Sequence, residues 1–122
     1  MAKLYKVQHG EGTTEGATLL SQRLQVAESF FERAKGLLGR KTLEADEALW
    51  IKPCNNIHTC FMNFHIDCLF VDRNLVVVKA FSDVKTFRLL GPFWKSSSVF
   101  EMPAGTVTKF NIQAGDQIYV VD

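Results

Sequence analysis

The chain has 122 residues, is 47% hydrophobic with ten phenylalanines, and sets 14 basic against 13 acidic side chains for a formal net charge of +1. That length suits one domain spanning residues 1–122, large enough to bury roughly two thirds of its unfolded surface. The charge balance supplies no long-range field to steer nucleic acid or an anionic membrane, and apolar runs such as residues 75–78 fall far short of a membrane span.

In chain order, Leu4 and Val7 and then residues 17–20 flank a glycine- and threonine-rich stretch at 9–16, which reads as an opening hairpin within residues 1–22. His9, beside a glycine in that turn, is expected in solvent. Residues 24–26 continue a strand. Ser29 followed by Glu32 has the form of a capping box, and the helix it opens, about residues 29–38, places Phe30, Phe31, Ala34, Leu37 and Leu38 near one apolar stripe. Gly39 is the expected stop. Gly36 inside that helix costs about 1 kcal/mol against alanine, which implies a packing reason for it.

Strand-like runs follow at residues 48–51, 58–62, 66–71 and 75–80. Asp72, Arg73 and Asn74 form a hairpin connection in which the asparagine tolerates positive φ. Residues 99–102 make another strand, and 117–121 a last one after a turn at 114–116. The expected fold is α+β: a small, mostly antiparallel barrel or sandwich of about seven to eight short strands with one main helix. Three cysteines without an apparent export signal point to reduced thiols in the cytoplasm rather than to a disulfide framework.

Most of the reactive side chains lie between Cys54 and Cys68, a segment that also holds His58, Cys60, His65 and Asp67. Zinc would find enough soft ligands there, yet the spacing lacks the two tight pairs that structural zinc sites use. In a strand through 58–70, the even positions His58, Cys60, Met62, Phe64, Ile66, Cys68 and Phe70 form a largely apolar face. Cys60 and Cys68 then read as small core hydrophobes. Asp67 on the other face must be desolvated or satisfied by specific donors. It either binds backbone amides or orients His58 or His65. Cys54 beside His58 could be a nucleophile, although no oxyanion hole is identifiable. Gly36 with Gly39, Gly91 with Pro92, and Gly10 with Gly12 match neither dinucleotide nor phosphate loops, so no cofactor is implied. Aromatic residues Phe87, Phe93 and Trp94 near Arg88 and Lys95 make either a ligand rim or edge packing.

Several blocks resemble one family. Ala27, Phe30, Arg33, Gly36 and Arg40 are similar to its opening motif. Pro53, Cys54, His58, Thr59, Met62, Ile66, Asp67, Phe70 and Asp72 are similar to its central signature, and Glu101, Gly105, Gly115 and Asp116 to its closing blocks. The chain thereby resembles the bacterial and archaeal domain of unknown function 192, over about residues 23–121. The resemblance implies a small domain of strands and helix, in some members exported or lipid-anchored, with motif positions but no assigned activity. It also makes Cys60 and Cys68 sites where an apolar residue is expected, which counts against zinc.

Three functions remain open. The first is a non-enzymatic module binding a small ligand or a protein segment, with candidate residues Arg40, Cys54, His58, Thr59, Met62, Asp67 and Glu101 and no metal. The second is a hydrolase or transferase using His58 and Asp67, with Cys54 as a further participant. The third is a metal-stabilised structural module. The lack of a complete catalytic set favours the first, with neither nucleic acid nor membrane as partner.

Overall fold

The computed structural model describes residues 2–7, 16–37, 40–59 and 62–122, so the expectations for His9, the greater part of the 9–16 turn, Leu38, Gly39 and Cys60 fall outside it. Among the described residues there are nine strands and two short helices. They run β1 (Ala2–Val7), β2 (Ala17–Ala27), α1 (Phe30–Lys35), β3 (Glu47–Ile51), β4 (Ile57–His58), β5 (Ile66–Val71), β6 (Val77–Val84), β7 (Leu89–Leu90), β8 (Ser98–Pro103), α2 (Thr106–Lys109) and β9 (Ile118–Val121).

Seven strands form one sheet in the order β6-β5-β8-β3-β2-β1-β9, while β4 and β7 pair separately. β1 and β2 are antiparallel, with Val7 opposite Ala17, as expected of the opening hairpin. β2 and β3 are parallel, and α1 lies in the crossover between them, since parallel neighbours cannot be joined by a tight turn. The two edges of the sheet approach at one point, where Val76 bridges Gln117 and the Val77 amide donates to the Asp116 carbonyl at 2.8 Å. The fold is thus mostly strand, α+β, with edge strands that touch at one end only.

Alternation along the central strands sorts the core into two clusters. Val99 and Ile51 face one cluster with Cys68, Phe70, Leu37 and Met62. Phe100 and Met102 face the other with Leu4, Leu69, Ile112 and Ile118. Every residue of β5 is buried, so both faces of this strand are interior and its sequence shows no polar alternation.

Three local expectations are corrected. The capping box at Ser29 and Glu32 is present, but α1 stops at Lys35 because Gly36 takes φ +49° while its amide still donates to the Glu32 carbonyl. Gly36 therefore terminates the helix rather than weakening its interior. Of the described residues in the run at 58–62, only His58 lies in a strand. The Thr59 carbonyl accepts from the amides of Met62 and Phe87, which folds the chain back at once. In the 72–74 connection the positive φ belongs to Leu75 at 61°, since Asp72 Oδ1 accepts the amides of both Asn74 and Val76 and fixes the turn one residue later.

Candidate functional site

β8 places a carboxyl group where a core side chain is expected. Its sequence Ser98, Val99, Phe100, Glu101, Met102 alternates between the two clusters, and Glu101 falls on the face of Val99. Register sets Glu101 between Leu49 of β3 and Cys68 of β5, so the acid interrupts an apolar rung. Glu101 is only 3% exposed. Among the described residues, neither a hydrogen bond nor an ion pair reaches its carboxyl group. Desolvation penalises the charged form and pushes its pKa up to about 7.

This carboxyl group lies at the wall of a cavity of about 390 Å³, lined by α1 and its end (Arg33 to Leu37), by Ile51, by residues 53–58 and by Met62. The volume lies within the range of small-molecule sites. Gly36 closes one side, and a Cβ there would stand 3.6 Å from Glu101 Oε1. Arg33 donates from its Nη1 to the Pro53 carbonyl at 3.1 Å, whereas its Nε is buried with no partner among the described residues. The opposite wall is held by the segment before β8. Phe93 and Ser97 engage it through the pairs Phe93 amide to Asn55 carbonyl and Cys54 amide to Ser97 carbonyl, both 2.9 Å. Gly91, at φ +93°, comes so near that a Cβ would meet the Asn55 carbonyl oxygen at 2.6 Å, so no other residue fits there without moving the wall.

Of the seven residues singled out from the sequence, four line this cavity: Cys54, His58, Met62 and Glu101. The Cys54 thiol donates to the Asn56 carbonyl at 2.9 Å, and burial raises its pKa above the ordinary thiol value, so it stays protonated at neutral pH. His58 is exposed at the rim. Met62 contributes apolar wall.

The other three stand apart. Thr59 is sealed; its hydroxyl donates to the Lys85 carbonyl at 2.6 Å and accepts from the Arg88 amide at 2.8 Å. Asp67 is fully buried and projects to the face opposite Glu101, with Oδ1 accepting from the Asp83 amide and Oδ2 from the Val107 amide, each at 2.7 Å. Both of its oxygens hold backbone, so the His58 and Asp67 pair of the hydrolase reading is not assembled. Arg40 sits in an adjoining groove, its Nη2 shared between the two carboxylate oxygens of Glu47 at 2.9 Å. Among the described residues no three histidine, cysteine or acidic side chains gather as metal ligands. His65, which the sequence offered as a ligand or an Asp67 partner, instead pairs at the surface with Asp83, Nδ1 to Oδ1 at 2.9 Å.

Arg33 is the site residue that sequence reasoning left without a role. Its signal was the interval of three residues to Gly36, which sets the arginine on the last turn of α1 beside the glycine that closes one side of the cavity.

The family model described as "Uncharacterized ACR", DUF192, matches residues 12–120. The chain belongs to this family. Two UPF0127 proteins of the archaea Pyrococcus horikoshii and Thermococcus sibiricus are similar to this DUF192 chain at 31% and 30% identity. The matches cover 78% and 79% of it, and 84% and 64% of those proteins. Among solved structures, a protein of unknown function from Novosphingobium aromaticivorans superposes with a TM-score of 0.79 over 96% of this chain and 83% of its own, at 20% identity. A candidate transcription regulator of Sinorhizobium meliloti gives 0.77 over 98% of this chain and 94% of its own, at 16% identity. At those identities the likeness concerns the fold. Among the described residues, no helix of the DUF192 chain is long and apolar enough to cross a membrane.

Proposed function

We propose that this DUF192 chain is a non-enzymatic binding module whose small ligand occupies the cavity between α1, the 53–58 segment and β8. One observation carries the reading: the Glu101 carboxyl group is buried at the cavity wall with no partner among the described residues. A desolvated acid without hydrogen bonds costs several kcal/mol unless something reaches it, and the cavity is where something can. The thiol of Cys54 is kept protonated and no nucleophile and base are paired among the described residues, which favours binding over covalent chemistry. The net charge of +1 favours a small molecule over nucleic acid. We read the sheet as an incompletely closed barrel forming a single domain, supported by the contact of β6 and β9 at Val76 and Gln117. The free thiols of Cys54 and Cys68 suit the cytoplasm.

The test is amide NMR of the labelled protein titrated with a chemically diverse set of small polar fragments. The expected result is saturable shifts at Gly36, Cys54, Asn55 and Asn56. Shifts confined to other surfaces, or none at all, would remove the cavity as a site.

A further inference from the structure

The cavity has two unmet polar demands of opposite sign. Glu101 presents a carboxyl group with no partner among the described residues, and Arg33 presents a guanidinium of which only Nη1 is engaged, with the Pro53 carbonyl. Both residues line the same space, and the Glu101 carboxyl is the kind of buried polar group that native structures otherwise satisfy. The same lining includes the apolar side chains of Leu37, Ile51, Ile57 and Met62. Among the described lining residues the one ring is the exposed His58 imidazole at the rim, and no phenylalanine, tyrosine or tryptophan supplies the broad stacking platform that suits a sugar or a nucleobase.

Charge narrows the choice further. A simple cation would meet Glu101 but be opposed by Arg33 and Lys35 on the last turn of α1. A simple anion would meet Arg33 but be opposed by Glu101 once that acid ionises. A neutral hydrocarbon would leave both polar groups dry. One molecule carrying an amine and a carboxylate answers both demands and leaves the charge of the site unchanged.

Resting on the cavity reading above, we propose that the occupant is a small aliphatic amino acid or a close analogue. Its ammonium group meets Glu101, its carboxylate meets the Arg33 guanidinium, and its side chain lies against Leu37, Ile51, Ile57 and Met62. The Arg33 fork offers a carboxylate more than one donor, since only Nη1 is engaged with Pro53. The apolar wall accounts for a branched or thioether side chain rather than a charged one, because a charged tail would be desolvated without a counter-ion.

Three probes separate the parts of this claim: leucine, isovalerate, which keeps the carboxylate alone, and isoamylamine, which keeps the amine alone. Titrations of the full chain at about pH 8, read by amide NMR and calorimetry, should show leucine binding at least roughly tenfold tighter than either half. Glu101→Gln should weaken leucine and isoamylamine and leave isovalerate unchanged. Arg33→Gln should weaken leucine and isovalerate and leave isoamylamine unchanged. Leucine binding no tighter than both halves, or binding indifferent to both substitutions, overturns the assignment. Should Glu101→Gln fail to fold, the three probes on the unaltered chain and on Arg33→Gln decide alone. Cavity shifts with other fragments but none with these probes would reject the ligand class while leaving the pocket standing. Silence from every fragment would reject the pocket itself.

Discussion

Glu101 and Asp67 are both acids inside apolar strands, and the chemistry of each follows from what lies around it. Asp67 accepts two amides supplied from residues 16 and 40 positions further along the chain, whereas Glu101 receives none from the described residues. No local sequence feature separates these two outcomes, because the donors are remote. Glu101 should therefore show in the pH dependence of folding. Its pKa rises from 4.5 in the unfolded chain to about 7 in the folded one, so the folded state holds the proton more tightly. The stability it contributes is complete below pH 4.5, declines as pH climbs through 7, and is gone above. About 3 kcal/mol should be lost across that window. Asp46 and Glu32, whose pKa values are lowered, act in the opposite sense, so the comparison must be made with a variant. Urea midpoints of the unaltered chain and Glu101→Gln between about pH 4 and 8 should diverge, the variant gaining relative stability as pH rises. Parallel curves would show that the carboxyl group is solvated.

At the scale of elements, Asp67 acts as a clamp. Its acceptors hold the amide of Asp83, at φ 52° beside the register shift that interrupts the β5 and β6 pairing, and the amide of Val107 in α2. One carboxylate thereby fixes an irregular strand and a helix of four residues that could not persist alone. Asp67→Ala should cost about 3 to 5 kcal/mol, since two charge-assisted hydrogen bonds disappear and two part-buried amides lose their acceptor. Faster hydrogen exchange at Asp83 and Val107 should accompany the loss; unchanged exchange there would contradict the clamp. Strong local signals made other elements legible from the sequence. Ser29 and Glu32 announced α1, and the apolar runs announced β5 and β8. The end of α1, the abrupt stop after His58 and the existence of α2 depend on partners far along the chain. Gly36 needed a backbone angle, Thr59 a carbonyl 26 residues away, and α2 the Asp67 carboxylate.

For the whole molecule, the bridge of Val76 to Gln117, just ahead of β6 and β9, brings the two edges of the sheet together at one point. Gln117 reinforces it, with Nε2 donating to the carbonyls of Asn74 at 2.7 Å and Ile118 at 2.9 Å. Gln117→Ala should lower stability by about 1 kcal/mol, and exchange should accelerate at Val77 and Ile118, whose amides donate across that junction. Protection unaltered at both positions would mean that the edges are held by packing alone. The parallel pair of β2 and β3 was the global feature hardest to anticipate. Short strands with mostly short connections suggest antiparallel order, and only the crossover through α1 shows otherwise. That crossover brings Arg33 and Gly36 over β8, and so the cavity is a product of topology more than of any contiguous motif.

The two tryptophans occupy contrasting surroundings. Trp94 is 83% exposed, while Trp50 stacks on Phe100 at 5.0 Å and donates its indole N–H to Ser98. Phe100 immediately precedes Glu101, so the part-buried indole is anchored to the strand that carries the buried acid, and the other emits from water. The protein thus carries one intrinsic fluorophore tied to the strand of Glu101 and, in the same chain, a solvent-bathed one that serves as its reference.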